Sequence, residues 1–155
     1  MSENELFKTA LSKAMAQCSR REYCRDDIIS KLHLWGVENN DAAKIISILI
    51  KENFINESRY ALAFVRDKFK YNKWGKVKIT AHLKTKNISS ETIKSALDSI
   101  DNESYVKFIK DNISSHRKSV RAKNQYDLKA KLLRYGLSKG FESNILYDIL
   151  NDLED

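Results

Sequence analysis

The chain has 155 residues, of which 42% are hydrophobic and 32% are charged, and its formal net charge is +7. These proportions exclude a wholly disordered chain, and the positive charge favours an acidic or nucleic-acid-associated partner. With no proline and only four glycines, the sequence favours an all-helical fold. It has no apolar run near the roughly 18 residues that a membrane-spanning helix needs, and no signal-peptide pattern.

The first predicted helix covers residues 3–18, where apolar side chains recur at helical spacing. Ser2 and Glu5 have the spacing of a capping box at its start. A second helix is predicted from Asp26, where a helix start favours negative charge, to Gly36, which suits the left-handed turn after a helix.

The next two helices are predicted from residues that cap helices well. Asn39, Asn40 and Asp41 offer caps for a helix along 42–50, and Asn56 offers one for a helix along 60–69. By composition alone, 45–50 could be a buried strand. The preceding caps and the helical recurrence of the equivalent residues favour a helix.

A pattern then repeats three times, at a spacing of just over fifty residues. In the second copy a helix near 75–86 ends at Asn87, Ser89 or Ser90 caps the next helix, and Asp101 caps a third. Repeats of this length indicate stacked supersecondary units. The reference residue of each copy and the apolar residue after it are Gly36–Val37, Asn87–Ile88 and Gly140–Phe141.

The sequence therefore predicts an all-α, elongated tandem array of three three-helix repeats preceded by an N-terminal helix. We divide it into residues 1–72 (the N-terminal helix and repeat 1), 73–118 (repeat 2) and 119–155 (repeat 3). The third repeat is expected to be truncated, because the chain ends before a third helix fits. The polar and basic stretch 114–123 is the best candidate for a mobile connection.

Residues that could support catalysis or hold a metal form no recognisable constellation. Three histidines and two cysteines occur, but they lack the close pairs of a zinc site, and we predict no cofactor, no metal and no enzyme activity. With no export signal, both cysteines are expected to be reduced in a cytoplasmic protein. The residues concerned are His33, His82, His116, Cys18 and Cys24.

Basic residues concentrate across the middle repeat and its two joints, and they are our candidate partner-binding residues. They could equally be a solvated helical face; the functional interpretation is a stripe that follows phosphates or an acidic groove. Tyr71 and Trp74 could stack on bases, although Trp74 could equally be a packing residue. The middle group is Arg66, Lys68, Lys70, Lys73, Lys76 and Lys78, the next is Arg117, Lys118, Arg121, Lys123, Lys129 and Arg134, and a weaker third group is Arg20, Arg21 and Arg25.

Four segments in this order resemble the RecX proteins, which regulate the RecA recombinase. They cover most of the chain, and together they are far more specific than any one alone. The segments are 19–32 (SRREYCRDDIISKL), 53–66 with its RYA and FVR motifs, 74–79 (WGKVKI) through Leu83 and Ile88, and 132–135 (LLRY) through Gly140 and Phe141.

Some residues depart from that family's pattern. Cys24 stands where the family usually has serine, which predicts a weaker cap, and Asn87 replaces a usual glycine. Residues 55–57 replace a Leu-Asp-Asp turn, but Asn56 remains a good cap. Gly136 lies where the repeat predicts leucine, and Leu137 is expected to fill that space.

The resemblance implies a monomer that binds the RecA–single-stranded DNA filament in its helical groove. It implies inhibition of RecA strand exchange, co-protease and ATPase activities, in a cytoplasmic protein with no membrane partner. Two alternatives stay open: a non-specific single-stranded nucleic-acid-binding protein, and a helical adaptor for another protein.

Overall fold

The computed structural model describes residues 2–153, which form nine α-helices joined by short turns. No β-strand occurs among these residues, so the all-helical prediction is confirmed, including a helix over 45–50. The helices are α1 (Glu3–Arg20), α2 (Arg25–Leu34), α3 (Asn39–Lys51), α4 (Glu57–Lys70), α5 (Lys76–Thr85), α6 (Ser90–Leu97), α7 (Asn102–Arg117), α8 (Gln125–Ser138) and α9 (Ser143–Asn151).

Several helices begin at the side-chain caps that the sequence predicts. Ser2 Oγ accepts a hydrogen bond from the Glu5 amide at 3.1 Å, and Asn56 Oδ1 accepts one from the Arg59 amide at 2.9 Å. Each bond satisfies a backbone donor that the first turn leaves without a helical partner. The same arrangement caps α6, α7 and α8 with Ser89, Asp101 and Asn124.

Three sequence-based boundaries are corrected by the structure. Glu38 is the N-cap of α3 and makes no side-chain capping bond, so the predicted caps at 39–41 lie inside the first turn instead. Helix α1 continues to Arg20, two residues beyond the predicted end. Helix α7 continues to Arg117, so the first four residues of the predicted connection 114–123 are helical.

The three repeat reference residues all adopt the left-handed conformation, as predicted. The apolar residue that follows each one is buried, and its amide bonds back to a carbonyl five residues earlier, which closes the helix end and points the side chain into the core. The φ angles are 86° at Gly36, 59° at Asn87 and 87° at Gly140, and the closing bonds are Val37–Leu32 (2.9 Å), Ile88–Leu83 (3.2 Å) and Phe141–Gly136 (3.1 Å).

The helices pack in three groups of three, and each group has its own core. Contacts join α1–α3, α4–α6 and α7–α9, which we call units 1, 2 and 3. The sequence division differs by one helix, because it places α4 in repeat 1 and α7 in repeat 2. In the structure, α4 begins unit 2 and α7 begins unit 3. Each unit begins with its long helix. Counted this way, α1 belongs to unit 1 and unit 3 has three helices.

Two features connect the separate cores. Cys24, which precedes α2, is fully buried in the core of unit 2. Phe69 and Ile100 pack against the cores of both unit 2 and unit 3. The units are therefore joined in series rather than around one shared centre.

Gly136 makes room for a neighbouring helix in unit 3. A Cβ at this position would lie 2.5 Å from Leu146 Cδ2, so the Leu146 side chain occupies the space that a leucine fills in the other repeats. The prediction that Leu137 fills it is wrong, because Leu137 faces outward and is 49% exposed. Gly136 in α8 thus lets Leu146 of α9 take the place of the leucine that the other two repeats carry at the equivalent position.

The serial arrangement leaves an extended molecule. Its accessible surface is 9883 Å², whereas a compact monomer of 18.0 kDa exposes roughly 8,000 Å². The excess agrees with the predicted elongated array. Among the described residues, no helix combines the length and apolar character needed to cross a membrane.

Candidate partner-binding surface

The first joint, between units 1 and 2, brings opposite charges together. The turn after α5 meets the start of α2, where Lys86 Nζ lies 2.7 Å from Asp27 Oδ1 and Asn87 Nδ2 donates to Asp26 Oδ2 at 2.6 Å. Burial by itself raises the pKa of Asp27, but hydrogen bonds from Lys86 and Cys24 outweigh it and lower that pKa. The same hydrogen bond from Lys86 raises the pKa of the lysine.

The weaker basic group lies at the same joint, and it comprises Arg20, Arg21 and Arg25. Among the described residues, these arginines form no ion pair with Glu22 or Asp26, the acids beside them in the sequence. Glu22 instead accepts from Arg59 Nε at 2.7 Å, and Asp26 accepts from Asn87. Glu22 and Asp26 therefore bind across the joint.

The second joint, between units 2 and 3, has the same layout but is held by backbone bonds. The turn after α8 meets the start of α5, where the Gly75 amide donates to the Lys139 carbonyl at 2.7 Å and the Val77 amide donates to the Gly140 carbonyl at 3.0 Å. A Cβ on Gly140 would lie 2.2 Å from Lys78 Cβ. The close approach therefore requires glycine on that turn.

Tyr105 of α7 adds a buried polar link to this joint. Its hydroxyl accepts from the Lys76 amide at 2.9 Å and donates to Glu142 Oε1. Burial, followed by the hydrogen bond to Glu142, raises the pKa of Tyr105. The phenol therefore stays protonated and holds the starts of α5 and α9 to α7.

Lysines gather around the second joint without acidic partners. Lys139 Nζ donates to the Asn72 carbonyl at 2.8 Å, and Lys78 Nζ donates to the Ser138 carbonyl at 3.4 Å. Burial, then the charges of Lys78 and Lys73, lower the pKa of Lys139. In the described part of the chain, none of these three lysines forms an ion pair with a carboxylate.

Trp74 forms an aromatic and cationic stack beside the joint. Its ring centroid lies 4.6 Å from Lys78 Nζ and 5.0 Å from Lys68 Nζ, and the ring packs against His82 at 4.5 Å and Phe64 at 6.3 Å between ring centroids. The sequence left two roles open for Trp74, stacking on bases or packing, and these contacts support packing. Tyr71, by contrast, is 70% exposed and available to a partner.

An open cleft of about 720 Å³ runs beside the same surface, between the end of α4 and the start of α7. Its apolar wall includes Phe69 and Phe108, whose rings lie 4.1 Å apart between centroids. Arg66, Lys70 and Lys73 also line it, together with the acids Asp67 and Asp101. The middle basic group thus surrounds a cleft of mixed charge on one side and the second joint on the other.

Several known proteins that are similar to this chain in sequence or fold are named RecX. The family model described as "RecX, second three-helix domain" matches residues 56–97, which contain α4 to α6. "Regulatory protein RecX" of Clostridium botulinum strain Eklund 17B is 33% identical over 126 residues, and that of Acinetobacter baylyi is 26% identical over 157 residues. The chain resembles the RecX regulatory proteins along nearly its whole length.

The extent of the match differs between these relatives. The alignment covers 79% of the chain and 58% of the Clostridium botulinum protein, but 99% of the chain and 94% of the Acinetobacter baylyi protein. The chain thus spans less than two thirds of the first relative's length. The crystal structure of RecX from Lactobacillus salivarius matches 97% of both chains, with a TM-score of 0.82 at 22% identity, and so supports the fold.

The second basic group lies on unit 3. It extends from the end of α7 through the connection 118–124 and along α8, and its members are Arg117, Lys118, Arg121, Lys123, Lys129 and Arg134. The connection is held to α8, because Lys131 Nζ donates to the Arg121 carbonyl at 2.7 Å and the Lys123 amide donates to Asp127 at 3.1 Å. Helix α8 extends about 20 Å from this end to the second joint.

Lys139 belongs to this surface but is missing from the sequence-based set. In sequence it follows the second basic group by five residues, yet the fold places it against Lys78 and the 72–73 turn. One signal could have found it: Lys139 directly precedes Gly140, the reference residue of the third repeat. The equivalent residue before Asn87 is Lys86, which forms the ion pair of the first joint.

Proposed function

We propose that the chain binds a RecA–single-stranded DNA filament and restrains the strand exchange, co-protease and ATPase activities of RecA. Similarity to proteins named regulatory protein RecX supports this function. The observation that carries it is the basic surface of unit 2 and the second joint, where Lys73 is exposed, Lys78 and Lys139 are half-buried, and none of the three pairs with a carboxylate among the described residues. Such a surface attracts DNA phosphates or acidic side chains.

The architecture suits a filament better than a single globular partner. Three units in series present an extended surface, and the basic groups occupy its middle and its second joint. Repeat arrays commonly bind along such surfaces. The chain can therefore contact more than one RecA protomer along the filament groove, as a cytoplasmic monomer.

A titration of RecA ATPase activity on single-stranded DNA tests this function. We expect inhibition at fewer chains than RecA protomers, with much weaker binding to the DNA alone. Absence of inhibition at saturating protein contradicts the proposal.

A charge-reversed variant tests the surface in the same assay. Arg66→Glu with Lys70→Glu changes two exposed side chains of unit 2, and Lys44→Glu with Lys51→Glu makes the same charge change on α3 of unit 1. We expect the first pair to weaken inhibition by about tenfold and the second to leave it unchanged. Circular dichroism of both variants checks that the helical content is retained.

A second candidate function is binding of single-stranded nucleic acid without RecA. The observation that favours it is Tyr71, an exposed aromatic ring whose neighbour Lys70 places its ammonium 5.1 Å from the ring centroid. Exposed rings among basic residues stack on bases. This function predicts equal affinity for DNA with and without RecA, and a steep loss of affinity with salt.

A further inference from the structure

The two joints use equivalent residues with opposite consequences. Asp27 and Lys78 are each the third residue of the middle helix of their unit, and the layout of the two joints places Lys86 and Lys139 opposite them. At the first joint a carboxylate neutralises the lysine at 2.7 Å. At the second joint a lysine stands where that carboxylate is expected.

Local bonds hold the lysine side chains of the second joint near one another. Lys139 Nζ binds the Asn72 carbonyl, one residue before Lys73, and Lys78 Nζ binds the Ser138 carbonyl, one residue before Lys139. These bonds use one donor of each ammonium group, which has three. Lys78 Nζ also lies 4.6 Å from the centroid of the Trp74 ring, and the remaining donors of Lys78 and Lys139 are available to an added acceptor.

Glu142, the residue after Phe141 at this joint, is already engaged, because its carboxylate accepts from the Tyr105 hydroxyl. Asp67 and Asp101 line the cleft beside Lys73 but form no ion pair with it among the described residues. Repulsion between the lysines is evident in the lowered pKa of Lys139, for which burial is the first cause and Lys78 and Lys73 are the next. The joint is thus folded with an excess of positive charge that an external anion can neutralise.

The residue types suit a phosphate. All three charged groups are ammonium ions, which bind phosphate as point charges. Tyr71, two residues before Lys73 in the sequence, is 70% exposed, and its ring can stack on a base of the same strand. We propose that Lys73, Lys78 and Lys139 form a phosphate site that holds a phosphodiester group of a single nucleic-acid strand at the second joint. The site rests on the proposed function in one respect: a RecA filament supplies such a strand.

Binding at this site has a structural consequence. A phosphate among the three lysines replaces their repulsion with attraction, as Asp27 does for Lys86 at the first joint. The bound strand therefore stabilises the contact between units 2 and 3. The second joint is thus more stable when the array is bound to nucleic acid than when it is free.

Binding of a fluorescent oligodeoxythymidylate, measured without RecA at several salt concentrations, tests the site. Lys78→Asp restores the charge pattern of the first joint, and Lys44→Asp makes the same charge change on α3. We expect Lys78→Asp to bind about tenfold more weakly, with a salt dependence flatter by about 0.7 for each phosphate that it no longer binds, whereas Lys44→Asp binds as the unmodified chain does. Equal affinity and equal salt dependence of the two variants overturn the site.

Two further measurements separate the proposal from its alternatives. A polyglutamate of equal charge should compete poorly with the oligonucleotide, and equal competition contradicts a phosphate site. Lys139→Met removes one ammonium group but keeps the carbonyl that accepts from Gly75, so it provides a second variant if Lys78→Asp folds poorly. Intact oligonucleotide binding without RecA inhibition contradicts the proposed function alone, whereas equal binding by the Lys78 and Lys44 variants contradicts the phosphate site alone.

Discussion

Gly75 and Gly140 meet so closely across the second joint that a Cβ on Gly75 would lie 2.3 Å from the Gly140 carbonyl oxygen. The neighbouring amide of Val77 donates to that same oxygen at 3.0 Å. Backbone therefore packs directly against backbone where units 2 and 3 join, and any side chain on Gly75 must separate them.

Gly75→Ala is expected to lower the free energy of unfolding by about 1–3 kcal/mol, because the added methyl group overlaps a backbone carbonyl that cannot rotate away. Urea denaturation measures the change. Gly36→Ala is the comparison variant: nothing lies within 4 Å of its Cβ position, but its φ of 86° strains an alanine, so it lowers stability without touching the second joint. Protease cleavage near residues 71–75 should increase in Gly75→Ala but not in Gly36→Ala; equal cleavage contradicts a role for Gly75 in closing the joint.

Lys86→Met is expected to cost about 1 kcal/mol at pH 7, because it leaves the Asp27 carboxylate without its cation. The hydrogen bonds to Asp27 hold its pKa below the usual 3.8, so the stabilisation is complete above pH 3.8 and is lost as the pH falls through the lower, folded-state value. Urea denaturation at pH 7 and below pH 3.8 measures this: the free energies of unfolding of Lys86→Met and of the unmodified chain should converge in acid. Lys84→Met changes an exposed lysine in the last turn of α5 and should unfold like the unmodified chain at both pH values.

Tyr105→Phe is expected to cost about 1–3 kcal/mol, because it leaves the Lys76 amide and Glu142 without the hydroxyl that links them. The measurement is the free energy of unfolding from urea denaturation. Tyr126→Phe removes the same atom from a side chain that is 85% exposed and should be neutral. A cost no larger than that of Tyr126→Phe would show that the buried link contributes nothing to stability.

Gly136 and Leu146 should be coupled in a double-mutant cycle. Leu146→Ala alone is expected to cost about 2–5 kcal/mol through the cavity that it leaves in the core of unit 3. Gly136→Ala alone should destabilise, because its Cβ overlaps Leu146 Cδ2. On the Leu146→Ala background the same change should be neutral or stabilising, since the overlap is gone and alanine favours helix. Additive free energies would contradict the exchange of leucines between α8 and α9.

The second basic group should contribute separately to RecA inhibition. Arg121→Glu with Lys123→Glu changes two exposed side chains of the connection before α8 and should weaken inhibition by about tenfold. Their backbone bonds to Lys131 and Asp127 are retained, so the connection should keep its conformation. If the Arg121/Lys123 variant inhibits RecA as the unmodified chain does while the Arg66/Lys70 variant inhibits it less, the binding surface is confined to unit 2.

The sequence predicted the helices well, because their signals are local. Side-chain caps such as Asn56 and left-handed residues such as Asn87 act within a few residues of their own position. The grouping of the helices depends on packing instead, and a repeat of period three reads equally well from any helix. The contacts, rather than the repeat, therefore show that α1 belongs to unit 1.

The candidate surface was predictable only in part, for the same reason. Charge density along the chain points to Lys73 and Lys78, but Lys139 joins them through a turn that is 61 residues away from Lys78 in sequence. The outward direction of Leu137 likewise depends on Leu146 of another helix. Long-range contacts of this kind leave no local pattern.

The contrast between the joints makes the array respond to ionic strength at two places in opposite directions. Dissolved ions screen exposed charges over about 10 Å at 0.1 M, which weakens the attraction between Lys86 and Asp27 but also weakens the repulsion between Lys78 and Lys139. Rising salt is therefore expected to weaken the contact between units 1 and 2 and to strengthen the contact between units 2 and 3. The point at which the molecule bends most easily moves along its length with the salt concentration.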